Sequence, residues 1–262
     1  MSIELEAAAA AAGQNLEELS HVLGQARVPV SRENVGNNYV CLPKPRVLSY
    51  MSEAVLSTGD LSLTPMAAVA GSIADLTVEV LIGQGATKAF ANNGGDIAVK
   101  MIEDEKTEIG IISSLATGRV SHSLTITGRD HIGGIATSGL GGRGLSKGIA
   151  DAVVVLAENA RLADACATVI ANETYVDTPE VLQVKAEILD PQTDIAEQMV
   201  TKEVYNLPSV VIKKALKKGK ESAMGMIRKG IIQGAYIFVQ GQMATVPEFF
   251  QTKARHLKLV HD

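Results

Sequence analysis

Residues 64–102 read TPMAAVAGSIADLTVEVLIGQGATKAFANNGGDIAVKMI, and the hydrophobic period changes half way along them. The first half is helical. Thr64-Pro65 offers an N-cap followed by proline at the first helical position, the apolar pattern runs over Met66–Ile82, and Gly83 and Gly85 stop it. Ala67, Ala68, Ala70, Gly71, Ser72 and Ala74 leave one side of this helix nearly flat, a surface suited to lying close against another backbone. From Ala86 the pattern is extended. Lys88–Ala91 and Ile97–Ile102 read as strands joined across Gly94-Gly95, an Asn-Gly turn signal.

Outward from this stretch the same alternation of helical and extended segments continues. Upstream, Glu4–Leu23 reads as an Ala-rich helix and Arg46–Leu56 as another, with Val47, Met51 and Val55 on one face. Between them lie a polar turn region at Pro29–Asn38 and a short strand at Tyr39–Leu42. Downstream, strands are expected at Glu108–Ser113, Arg119–Thr127, Gly133–Ile135 and Ala152–Ala157. A helix capped by Asn159 covers Ala160–Ala171, a further one lies around Ile195–Val204, and a basic one spans Ser209–Arg228. The chain closes on a hairpin, Ala235–Gln240 and Met243–Val246. Long helices beside runs of adjacent strands indicate an α+β fold with a mixed or antiparallel sheet. The absence of a linker points to a single large domain over residues 1–262, with its core at 63–172 and the last helix and hairpin, within 195–250, packed on it.

Composition narrows the function. The 262 residues are 46% hydrophobic but only 3% aromatic, and the formal net charge is -5. Few aromatics and an acidic balance argue against nucleic acid. The lysines at 213, 214, 217, 218 and 220 read first as a solvated helix face. Two cysteines far apart, Cys41 and Cys166, fit reduced thiols better than a disulfide framework. The acidic start Met1–Glu6 is unlike a signal peptide, and no apolar run reaches the roughly 18–20 residues of a membrane span. The expectation is a cytoplasmic protein without a membrane partner, with a homo-oligomer left open.

Three stretches carry candidate chemistry. In Asn92-Asn93-Gly94-Gly95-Asp96 the glycines permit positive φ and expose backbone N–H groups to an anion, while the amides suit the edge of a base or flavin ring. The plain alternative is an ordinary hairpin. Asp164 and Thr168 stand one helical turn apart, a carboxylate and a hydroxyl of the kind magnesium takes. Their plain alternative is a first-turn acid and a hydroxyl bonded back to the helix. Gly139, Gly141 and Gly144 spell G-x-G-x-x-G, but the loop leads into a strand where a dinucleotide fold needs a helix. A flexible loop in which Arg143 and Lys147 meet phosphate is the functional reading there, and an ordinary mobile loop the plain one. Of the five histidines none has metal-ligand spacing, and His131, beside Asp130, is the acid–base candidate.

The order of these stretches resembles the ApbE superfamily. Ala70–Asp75, Asn92–Ile97, Ala136–Gly139 and Ala163–Thr168 follow one another as that family's core motifs do, and the chain is most similar to the UPF0280 group within it. The resemblance implies binding of FAD, FMN or another nucleotide-like ligand against Asn92, Asn93, Gly94, Gly95 and Asp96, with Thr137, Ser138 and Gly139 lining the same pocket. It implies Mg2+ held by Asp164 and Thr168. Family transferases cleave FAD and esterify FMN to a Thr or Ser of a target protein. The interval Leu140–Ala150 lacks their H-I-x-D-P-x-T-G stretch, and Ala70–Ala74 lacks the lysine of their A-K-G-Y-A segment. The expectation is therefore a magnesium-dependent enzyme on a flavin, pterin or nucleotide-like molecule, not acting by standard FMN transfer. The alternatives are a non-catalytic binding module and a protein-interaction scaffold.

Overall fold

The computed structural model describes residues 3–30, 45–247 and 258–259. The strand expected at Tyr39–Leu42, Cys41 and His256 lie outside the described residues. The chain forms two compact units, each assembled from separate stretches of sequence. The first comprises Met1–Glu105, Thr127–Ala136 and Leu156–Cys166, and the second Lys106–Ile126, Thr137–Val155 and Ala167–Asp262.

In the first unit the helices are α1 (Ile3–His21), α2 (Leu23–Ala26), α3 (Arg46–Thr58) and α4 (Val69–Gly83), together with the start of α5 (Ala160–Glu173). Strand β1 (Lys88–Asn93) pairs antiparallel with β2 (Asp96–Met101), and β2 with β5 (Gly134–Ser138). The hairpin between β1 and β2 turns at Gly94-Gly95, both at positive φ, as the glycine pair predicts. A cluster of small and branched side chains holds this unit: Ala8 of α1, Ala74, Val78 and Leu81 of α4, Ala89 and Ala98 of the hairpin, and Ala160. Alanines at the contacts let the backbones approach, which is how a chain with few rings fills its core.

Pro65–Gly83 departs from the sequence reading in one respect. It is 19 residues long and, by length and composition, apolar enough to cross a membrane. In the fold it opens as a 3-10 turn over Pro65–Ala68 before α4, and Gly71–Leu76, Val78 and Leu81 are buried against the unit. Thr64 makes no capping hydrogen bond with its side chain.

The second unit contains β3 (Lys106–Ile112), β4 (Val120–Thr127), β6 (Ala152–Ala157), β7 (Val181–Lys185), the short helix α6 (Ala186–Leu189), β8 (Met199–Val204), β9 (Gly234–Val239), β10 (Gln242–Val246) and β11 (Lys258–Leu259). Here β6, β9 and β10 are neighbours in order, β11-β4-β3 form a second sheet, and β7 and β8 a third. Every residue of β6 and β9 is buried. The basic helix, α7 (Ser209–Arg228), covers β9 and β10 with Ile212, Ala215, Leu216, Gly219, Ala223 and Met226, and leaves Lys213, Lys214 and Lys217 exposed. Lys217 pairs with Glu221 at 3.8 Å, as a solvated face would.

The helix expected around Ile195–Val204 is a turn followed by a strand. Residues Met199–Val204 form β8 against β7, a strand that its own sequence does not announce. Ala196, Glu197 and Gln198 favour a helix by intrinsic propensity, but Thr201 N–H donates to Ser146 O at 2.8 Å and Val200 packs fully buried. Pairing across the sheet overrides the local preference.

Candidate functional site

Two carboxylates fix the geometry from which the first unit's site is built. Asp75, on α4, accepts the first N–H groups of α5, from Ala160 at 2.9 Å and Arg161 at 3.0 Å, and the Arg161 guanidinium at 3.0 Å. Asp164, on α5, accepts the Gly71 N–H at the start of α4, at 3.0 Å. Each helix therefore supplies the N-terminal acceptor of the other, where the backbone leaves orphan donors and a partial positive charge. Gly71 makes this possible: a Cβ there would lie 2.3 Å from the Ala160 carbonyl oxygen. Asn159 caps α5 as its sequence predicts, its Oδ1 accepting the Leu162 N–H at 3.0 Å.

The hairpin turn is tied to the same place. Asn93 Nδ2 donates to Ala70 O at 3.3 Å, while Asn92 Oδ1 accepts the Gly95 N–H at 2.9 Å. One of the turn N–H groups expected to meet an anion is thus engaged within the turn. The charge of Asp96 acts on Asp164. The Asp164 carboxyl is held well above the usual carboxylate range, chiefly by burial and then by the Asp96 charge, with the Gly71 and Ala70 N–H groups pulling the other way and Asp75 adding a smaller repulsion.

A carboxyl with a raised folded pKa stabilises the fold below its unfolded pKa, and that stability is lost as pH rises through the folded value. In metal-free solution, the wild type is expected to lose stability as pH rises from about 4, the ordinary carboxylate pKa. Asp164→Asn, which keeps an oxygen for Gly71, should flatten that dependence and be at least as stable at neutral pH. Urea midpoints measured against pH check this; identical slopes in the two proteins would remove the buried charge as their cause.

Beside the turn, an apolar groove of about 410 Å³ runs between α1, α4 and β1, walled by Leu5, Ala8, Ala12, Ile73 and Phe90 and reaching Asn92 and Asn93. Its volume is within the range of small-molecule sites.

The other candidate residues are spread over both units. Thr168 is half-buried and lies on α5 one turn after Asp164, in the part of that helix belonging to the second unit. Thr137 and Ser138 end β5, also in the second unit, and Gly139 follows at φ 144°, where a Cβ would meet the Ala150 carbonyl at 2.9 Å. The Gly-rich loop beyond enters β6, so it does not open a helix. Gly148 there packs on the end of α5, against Ala171 O and Thr174. His131 is exposed, with φ 53°, at the end of a 3-10 turn over Gly128–Asp130. The neighbouring Asp130 closes the capping box of that turn, its carboxylate accepting the Thr127 N–H at 2.8 Å. Among the described residues no group of three or more His, Cys, Asp or Glu side chains is arranged to hold a metal. Cys166 is a buried free thiol whose pKa burial pushes up to about 12.

Sequence reasoning missed the part played by Asp75. Its signal was present, an acid on the flat face of an apolar helix one turn from Gly71, but its partners lie 85 and 86 residues away.

Fold and site together define an α+β protein in which an Asn-Asn-Gly-Gly-Asp hairpin and a mutually capped helix pair converge. The model of the family described as AbpE bacteria matches residues 1–245. The UPF0280 protein of Methanosarcina acetivorans is 31% identical over 213 residues, 81% of this chain and 68% of that one. Those of Methanococcoides burtonii and Methanosarcina barkeri are 40% and 38% identical over 50% and 52% of this chain. The matches span only about half of those two relatives' own lengths, 54% and 52%. A crystal structure of the ApbE protein from Thermotoga maritima is 14% identical, with a TM-score of 0.43 over 72% of this chain and 52% of that chain. The chain belongs to the ApbE-like family and, within it, to the UPF0280 group.

Proposed function

We propose that this protein binds a flavin, pterin or other nucleotide-like ligand together with magnesium at the turn and helix pair of the first unit, and acts on it as an enzyme. The observation that carries this reading is the Asp164 carboxylate, half-buried beside the start of α4, on which the charge of Asp96 from the hairpin turn also acts. Like charges so placed disfavour ionisation unless a cation joins them. The donor set suits a hard divalent ion, since the two carboxylates and the Thr168 hydroxyl one turn along α5 are all oxygen ligands. Magnesium, when bound, would neutralise phosphate charge and stabilise what develops at phosphorus.

The chain's own residues would do the rest. Gly71 N–H orients one Asp164 oxygen. Asn92 and Asn93 present the Nδ2 donor and Oδ1 acceptor left over from their bonds to Gly95 and Ala70, a match for the amide edge of a heterocycle. The apolar groove beside them excludes water from a flat ring. His131 is proposed to move a proton.

The test is incubation of the purified protein with FAD and magnesium, with products followed by mass spectrometry and any co-purified small molecule identified. Turnover is expected, and Asp164→Ala should abolish it. Tight binding without turnover would reduce the reading to a binding module. Failure to bind any flavin, pterin or nucleotide, with or without a divalent ion, would overturn it.

A further inference from the structure

A second pocket in the first unit shares Asp75, Asn159 and Arg161 with the helix pair and adds Lys100 and Glu158, which have no part in the site above. It has a volume of about 160 Å³ and is lined by Asp75, Lys100, Gly133, Glu158, Asn159 and Arg161, among others. Its charged groups differ in what they have left to offer. Both oxygens of Asp75 are engaged, by Ala160, by the Arg161 N–H and by the Arg161 guanidinium. Glu79, which also borders the pocket, is engaged by Arg46 at 2.5 Å and by the Tyr50 hydroxyl at 2.8 Å. The donors are not exhausted in this way. Arg161, with a side chain only 18% exposed, gives one of its five N–H groups to Asp75 and lays its guanidinium 4.1 Å from the centre of the Tyr50 ring. Its other four N–H groups, the Lys100 ammonium and the Asn159 amide nitrogen have no acceptor among the described residues. Glu158, exposed at the rim, is the one lining carboxylate without a partner among the described residues.

We propose that this pocket is an anion site, taking a single phosphate or carboxylate group against Arg161, Lys100 and Asn159. The planar guanidinium is held in place by Asp75 and Tyr50 before any ligand arrives, so little order remains to be imposed on binding. The α5 N–H groups nearest the pocket are taken by Asp75 and Asn159, which makes the side chains the source of affinity. The volume is below the roughly 300 Å³ at which sites for drug-sized ligands begin, so a small oxyanion fits and a dinucleotide does not.

The full chain titrated with inorganic phosphate and, separately, with acetate at low salt tests the assignment by calorimetry. Saturable binding of one of them is expected, the preferred ion identifying a phosphate or a carboxylate source. Lys100→Glu should weaken it about tenfold and Glu158→Gln should tighten it a few-fold, since rim charges act on an anion with opposite sign. Both positions are exposed, so folding is not at stake, and Lys213→Glu on α7 controls for net charge alone. Binding of neither ion overturns the proposal, and so does equal binding by both rim variants and the wild type, which means an adventitious ion only. Neither result depends on whether FAD or magnesium binds beside Asp164.

Discussion

Replacing Asp75 by alanine is expected to cost roughly 3–5 kcal/mol of stability, the magnitude seen when one partner of a buried, hydrogen-bonded charge pair is removed. The truncation orphans three donors at once: the Ala160 and Arg161 N–H groups and the Arg161 guanidinium. Arg161 is only 18% exposed, so water does not readily take the carboxylate's place. Asp75→Asn retains an acceptor oxygen and should lose distinctly less, the more so because burial already pushes the Asp75 carboxyl above its ordinary range. Urea denaturation of the three proteins checks the ranking. An Asp75→Ala variant within about 1 kcal/mol of wild type would show that the helix pair does not depend on this acceptor.

The second large effect is expected at Gly71. A Cβ at this position meets the Ala160 carbonyl oxygen at 2.3 Å, its carbon at 2.5 Å and the Arg161 nitrogen at 2.7 Å. All three are backbone atoms, so no rotamer change relieves the clash, and α4 and α5 must separate. Separation also draws Gly71 N–H away from Asp164 and Asp75 from the start of α5. Gly71→Val is expected to lose about 3 kcal/mol or more, which lowers the melting temperature by roughly 6–12 °C in a chain of this size. Gly71→Ala should be nearly as harmful, because the offending atom is Cβ itself. Gly13, on the exposed face of α1 with nothing within 4 Å of where a Cβ would stand, is the control. Gly13→Ala should raise stability by about 1 kcal/mol. If Gly71→Ala melts with wild type, the close approach is not what holds these helices.

What could be read from the sequence was what depends on neighbours. The period of Val69–Gly83, its flat face, the Gly94-Gly95 turn, the Asn159 cap and the α7 stripe are all set within a few residues, and each lies where its local pattern puts it. Residues 195–204 mislead because Ala, Glu and Gln carry a helical preference that only the distant β7 overrules. The candidate site divides in the same way. Asp96 and Asp164 are visible as separate motifs, but nothing local says that the charge of one acts on the other. The Gly-Gly turn is legible as positive φ, whereas the engagement of its Gly95 N–H by Asn92 depends on a side-chain rotamer. Asp75 is visible only as the last letter of a motif, since the helix end that it serves is assembled in space.

The mutual capping of α4 and α5 also bears on the order of folding. The bond from Asp164 to Gly71 closes a separation of 93 residues, and that from Asp75 to Arg161 one of 86. Asn159 satisfies only part of the first turn of α5 locally, and the Ala160, Arg161 and Gly71 N–H groups wait for a carboxylate from the other helix. The entropy of closing so long a loop must be met before either carboxylate finds its donors, so contacts of this kind slow folding and form late. Until α5 docks, α4 is an apolar helix with a frayed start. The hairpin of β1 and β2, whose turn is local, can form ahead of both.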